Sequence, residues 1–181
     1  MLEVQVARIV LYFDSYIVLL QSQNDARVLP INIDRGQAES IQLQLEGVAI
    51  PRPLTHDLMR SIIAELGGRL VRVEVCDLVE GTFYARLIVE REGRPIEIDA
   101  RPSDAIALAL RASAPIFVDD EVMNQAGATF DGDDAGEAQR KLSPSEQLEQ
   151  KLKKAIAEER YEDAAALRDE LKKDRENKPS N

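Results

Sequence analysis

A single cysteine, a single histidine and no tryptophan mark this chain of 181 residues, and aromatic residues make up only 4% of it. One cysteine, Cys76, excludes an internal disulfide framework and a zinc site built on several thiolates. It lies in the alternating run 70–79 and is expected to be a buried strand residue, as free cysteine usually is. No apolar run approaches the ~20 residues of a membrane span. The opening M-L-E-V-Q-V-A-R-I-V reads as a strand, without the basic n-region and cleavage site of a secretory signal. The expected compartment is therefore the cytoplasm, with no membrane partner. Lysine is missing from residues 1–125, which carry 12 arginines against 19 acidic residues, a net −7. Residues 126–181 carry 11 basic and 14 acidic residues, and the whole chain is −10. Strong non-specific nucleic-acid binders lean on counterion release at a basic surface, so that class is disfavoured. Nucleic-acid chemistry would need a local arginine cluster or a bridging metal ion. Arginine suits such a cluster because its planar fork bonds phosphate and carboxylate bidentately.

Hydrophobic periodicity places the elements. Val4–Phe13 and Tyr16–Gln23 alternate as strands around an Asp14-Ser15 turn, and Arg27–Ile33 is a third strand whose Pro30 favours an edge or a bulge. Asp34-Arg35-Gly36 opens a helix to about Leu45, with Ala38, Ile41 and Leu45 on its apolar side and Gly47 as its stop. A proline-containing connector leads to Thr55, read as the cap of a helix through Leu58, Met59, Ile62, Ile63 and Leu66. Arg69–Val79, Thr82–Glu90 and Arg94–Ala100 form an antiparallel meander with turns at Glu80-Gly81 and Glu92-Gly93. Pro115–Val118 is a short strand and Asp119–Met123 a short helical turn. The expected fold is α+β: a mixed, largely antiparallel sheet with about three helices, plus a C-terminal α-helical hairpin. The domain spans 1–125. A flexible linker rich in Gly, Ala, Asp and Gln spans 126–143, and a hairpin follows over 144–176. Leu148, Leu152 and Ile156 make one stripe of that hairpin, and Ala164, Leu167 and Leu171 the other.

The chemistry concentrates at Ile96–Arg111, where an alternating strand runs into a helix opened by Pro102. That junction gathers Asp99, Arg101, Ser103 and Asp104. Ser103 and Asp104 could serve only as helix caps, and Arg101 only as a partner for Asp99. Asp99 is the stronger candidate, because it interrupts an apolar alternation where a cap is less needed.

Three blocks carry a resemblance. V-A-I-P-R-P-L-T-H-D-L-M at Val48–Met59, T-F-Y-A-R-L at Thr82–Leu87 and D-A-R-P-S-D-A-I-A-L-A-L-R at Asp99–Arg111 resemble the bifunctional nuclease family. Leu148–Leu171, with A-I-A-E-E-R-Y-E-D-A-A, resembles the UVR motif, a helical hairpin through which excision-repair subunits meet. The first resemblance implies hydrolysis of phosphodiester bonds in DNA and RNA as substrates. The second implies a protein partner docked through the hairpin.

Residue types say how such chemistry could run. Asp99 and Asp104, with Asp57 and Glu39, could hold Mg²⁺ or Mn²⁺, which prefer oxygen ligands. His56, with Asp99 and Asp104, is the candidate catalytic group, as imidazole exchanges protons near neutral pH. Arg52, Arg101, Ser103 and Arg111 are candidate phosphate ligands. Each has a plainer reading: His56 and Asp57 as features of a helix start, Glu39 as a solvated residue, Arg52 and Arg101 as loop ties. Two other functions stay open: a non-catalytic oligomeric platform that recruits partners through the hairpin, and a binder of a small phosphorylated or carboxylated ligand. A homo-oligomer, a dimer first, is expected.

Overall fold

A computed structural model describes Met1–Tyr12 and Ser15–Thr129. The Asp14-Ser15 turn lies partly outside these residues, and the linker and hairpin expected over 126–176 lie almost wholly outside them. By contacts the chain divides into Met1–Asp131 and Gly132–Asn181.

The elements follow in chain order. Strands β1 (Leu2–Tyr12), β2 (Ser15–Gln21) and β3 (Arg27–Ile33) precede helices α1 (Arg35–Leu45) and α2 (Thr55–Glu65). The meander β4 (Gly68–Val79), β5 (Thr82–Arg91) and β6 (Arg94–Ala100) leads into α3 (Pro102–Ala112). Short elements β7 (Ile116–Val118), α4 (Asp120–Ala126) and β8 (Ala128–Thr129) complete it. One eight-stranded sheet results, ordered β6-β5-β4-β7-β1-β2-β3-β8. Every pairing is antiparallel except β4 with β7, which β7 joins after the α3 crossover. β7 thus sews the N-terminal meander to the central one, through Val4↔Ile116 on one side and Val73↔Ile116 on the other.

Local chemistry explains the joints. The two meander turns are two-residue loops with both residues at positive φ: Glu80 at 49° and Gly81 at 79°, then Glu92 at 53° and Gly93 at 72°. That primed-turn geometry matches the twist of the flanking strands. Pro30 pairs with Leu19 of β2, while β8 reaches only Arg27 and Val28 on the other side. Its missing N–H therefore falls where the sheet has an open edge, as expected.

Helix α3 is the centre of the core. Ala105 through Ala109 are fully buried, and Ile106 and Leu108 are each worth about 1.5–3 kcal/mol of burial. It packs on β4 and β5 below and on α1 and α2 beside it. α1 buries Ala38 and Ile41 as expected, but Leu45 stands exposed at its end. α2 departs further from its pattern. Only His56 is buried, Met59 and Ile63 are partly covered, and Leu58, Ile62 and Leu66 face solvent. Cys76 is half-buried rather than buried, its thiol 3.6 Å from the Tyr84 carbonyl oxygen.

Candidate active site

Three helix segments meet around the one histidine. α1 presents Ser40, the first turn of α2 presents His56, and the first turn of α3 presents Asp104. His56 Nδ1 lies 2.9 Å from Ser40 Oγ, and its Nε2 lies 3.2 Å from Asp104 Oδ1. A carboxylate accepts only, so the proton facing Asp104 sits on Nε2, and the Nδ1 lone pair receives the Ser40 hydroxyl. The other carboxylate oxygen of Asp104 accepts from Arg101 Nε at 2.8 Å. This hydrogen bond raises the pKa of the Arg101 guanidinium. The result is a continuous row, Ser40–His56–Asp104–Arg101, that grades from covered to open. The imidazole side chain is 11% exposed, the Asp104 side chain 28% and Arg101 68%.

A second ion pair braces the first. Arg111, with a side chain only 3% exposed, donates to Asp57 Oδ1 at 2.9 Å, to the Ala107 carbonyl at 2.9 Å and to the Ser40 carbonyl at 3.1 Å. Asp57 Oδ2 also accepts the Leu54 N–H at 2.9 Å. Burial pushes the Asp57 carboxyl up, but the Leu54 N–H and the Arg111 charge outweigh it and hold it below its usual value. Arg111 and Asp57 therefore hold Ser40 and the start of α2, which carries His56, against each other.

Beside the row a cleft of about 640 Å³ opens between the N-terminal ends of α1 and α3 and the β4–β5 turn. Asn32, Asp34, Arg35, Thr82, Arg101 and Ser103 contribute to its wall. Two helix N-termini and two arginines at one opening favour an anion.

The structure corrects several expectations. Asp104 does not cap α3: the N-cap is Arg101, no side chain caps it, and Pro102 takes the first turn where a missing N–H costs nothing. Thr55 does not cap α2, whose N-cap is Leu54 with its N–H held by Asp57. Arg101 pairs with Asp104, not Asp99. Asp99 is exposed in β6 opposite Arg86, because strand alternation turns it from the junction. Glu39 is exposed and spends its carboxylate on Arg35, one helical turn away, at 2.8 Å. Arg52 stands exposed in the connector, and no described residue binds its side chain. Arg111 is buried, with its guanidinium committed to Asp57 and to the carbonyls of Ala107 and Ser40. Ser103 is 5% exposed at the cleft wall.

The expected metal set is not assembled. Among the described residues no three His, Cys, Asp or Glu groups come together in a way that could hold an ion. Asp57 faces Arg111, Glu39 faces Arg35, and Asp104 is tied on both oxygens. These residues do not fit Mg²⁺ or Mn²⁺, and no step below runs through one. Ser40 had no signal in the sequence. A serine in mid-helix is unremarkable until the fold sets the histidine against it.

The profile of the bifunctional nuclease domain matches residues 18–131, which include every member of the row. The chain belongs to the bifunctional nuclease domain family. The UvrB/uvrC motif matches residues 146–175. An uncharacterized protein of Mycobacterium tuberculosis is 50% identical over 111 residues, covering 61% of this chain and 66% of that protein. Bifunctional nuclease 1 of Oryza sativa subsp. indica is 27% identical over 176 residues, covering 86% of this chain and 53% of its own length. Bifunctional nuclease 1 of Arabidopsis thaliana is 27% identical over 177 residues, with 86% and 54% covered. The chain thus spans about two thirds of the mycobacterial relative and about half of the plant ones. Family membership supports a nuclease. No helix among the described residues is long and apolar enough to cross a membrane.

Proposed function

We propose that this protein hydrolyses phosphodiester bonds of DNA and RNA at the cleft beside the Ser40–His56–Asp104–Arg101 row. The observation that carries the reading is the histidine held on both ring nitrogens inside a nuclease-family domain and joined through Asp104 to Arg101, the member of the row on the cleft wall. Nδ1 is the basic atom. It draws the proton of the attacking water through the Ser40 hydroxyl, the Asp104 carboxylate stabilises the imidazolium that forms, and the proton returns to the leaving oxygen as its bond to phosphorus breaks, the logic of a serine–histidine–aspartate array. Arg101 is released from Asp104 as a phosphate oxygen arrives, and Arg35 and the α3 N-terminus with Ser103 add positive potential. Positioned proton transfer of this kind contributes about 10²–10⁴-fold. Cleavage of labelled single- and double-stranded DNA and RNA, with Mg²⁺, Mn²⁺ or EDTA, tests it. Intact substrates under all conditions would remove the reading. Cleavage that requires Mg²⁺ or Mn²⁺ would overturn the metal-free step written here.

The UVR match supports a second component: docking of a protein partner through 144–176. A pull-down that keeps every partner after deletion of that segment would oppose it. It also sustains the alternative reading, a recruiting platform without catalysis, which the acidic balance favours. A homodimer belongs to the reading as well. Leu54, Leu58, Ile62 and Leu66 recur every fourth residue along α2 and are 36–62% exposed, an aliphatic ridge that an identical helix could cover. Light scattering that shows a monomer at micromolar concentration would count against it. A cytoplasmic location belongs to the reading, because a lone free cysteine suits a reducing compartment.

A further inference from the structure

A second cavity shares no residue with the row or its cleft, though Arg111, which braces the row, lies in its lining. It lies between the second half of α2, the end of α3 and the start of β4, and holds about 380 Å³. That is within the range of small-molecule sites, about 300–1,000 Å³. Its floor is aliphatic, formed by Ile63, Leu70 and Leu108, the last two being core residues. Arg60 and Arg69 stand on its wall. Arg60 makes no contact ion pair among the described residues: its charge acts on Asp57 from a distance, and its hydrogen bond goes to the Arg111 carbonyl at 3.1 Å. Arg69 meets Glu90 at 3.3 Å with both side chains largely exposed, a pair of little net strength. In a chain of net charge −10, two weakly committed cations over an apolar floor call for an anion.

We propose that this cavity binds a small anion carried on an aliphatic body, a medium-chain carboxylate or alkyl phosphate. The head sits on Arg60 and Arg69, and the chain lies over Ile63, Leu70 and Leu108. A nucleotide is the poorer fit, because the lining has no aromatic ring for a base to stack on and no amide side chain to read its edge. The site is independent of the nuclease reading.

Isothermal titration of the full-length chain with octanoate, octyl phosphate, octanamide and adenosine monophosphate tests it. The two alkyl anions are compared to separate carboxylate from phosphate chemistry. Saturable binding of at least one alkyl anion, with octanamide at least tenfold weaker, is expected. Arg60→Gln and Arg69→Gln should each weaken the anion several-fold. Ala64→Leu, at an exposed position that lines the cavity, should weaken it without changing charge. Thermal melts of the variants confirm that they fold. The proposal is overturned if neither alkyl anion saturates, if octanamide binds as well, if the arginine variants bind normally, or if the nucleotide binds more tightly.

Discussion

Replacing Arg111 by methionine keeps most of the aliphatic stem and removes a guanidinium whose side chain is 3% exposed. Three acceptors lose their donor together: the Asp57 carboxylate and the carbonyls of Ala107 and Ser40. Removing one partner of a buried ion pair costs about 3–5 kcal/mol. Asp57 keeps 28% exposure and the Leu54 N–H, so water replaces part of what it loses. That places the expected loss near the lower end, about 3 kcal/mol, or roughly 10–15 °C in melting temperature for a domain of this size. The acid limb gives a second readout. The folded Asp57 carboxyl is held below its ordinary 3.8, so its contribution is present above that pH and is lost as pH falls through the folded value. The gap between wild type and variant should therefore narrow below about pH 4. Urea melts at pH 7 and at pH 3–4 measure both. A variant within about 1 kcal/mol of wild type at pH 7, with an unchanged acid limb, would refute the claim that this pair locks α1, α2 and α3 around the histidine.

Other variants separate the acidic residues and probe the fold. Asp104→Asn should lower cleavage by about 10²-fold or more, because it removes the charge that stabilises the imidazolium, whereas Asp99→Asn should stay within about twofold of wild type. Equal losses in the two would return Asp99 to the site. Gly127→Ala should cost about 1–3 kcal/mol in urea melts, since an added Cβ would lie 2.3 Å from the Met123 carbonyl oxygen and 2.7 Å from its sulfur. A neutral outcome would mean that the end of α4 yields easily.

Much of the fold is legible in the sequence because alternation and turn chemistry are local. The meander, its Glu-Gly turns and the Pro102 start of α3 come from spacing and from residues that tolerate positive φ. Spacing does not reveal how far α2 is buried. Its apolar spacing suits a core helix, yet it lies over α3 with only Met59 and Ile63 turned inward besides His56. The site was legible in part. Residue type alone singles out His56, Asp104 and Arg101 as candidates, and the fold joins them into one row. Their partners were not legible, because Ser40 to His56 and Asp57 to Arg111 are contacts between helices, 16 and 54 residues apart in sequence. The metal set failed on the same ground: Asp99 and Glu39 are near the junction in sequence or by element, but their carboxylates face elsewhere.

The most direct test of the central claim compares wild type with His56→Gln. Both would be purified in parallel, matched by circular dichroism and melting temperature, and assayed on labelled single-stranded DNA and RNA. Glutamine keeps hydrogen-bonding capacity toward Ser40 and Asp104 but cannot take up a proton. The account predicts cleavage by wild type and a loss of at least about 10²-fold in the variant with its fold intact. Equal cleavage by the two proteins would contradict it and place the chemistry away from the histidine.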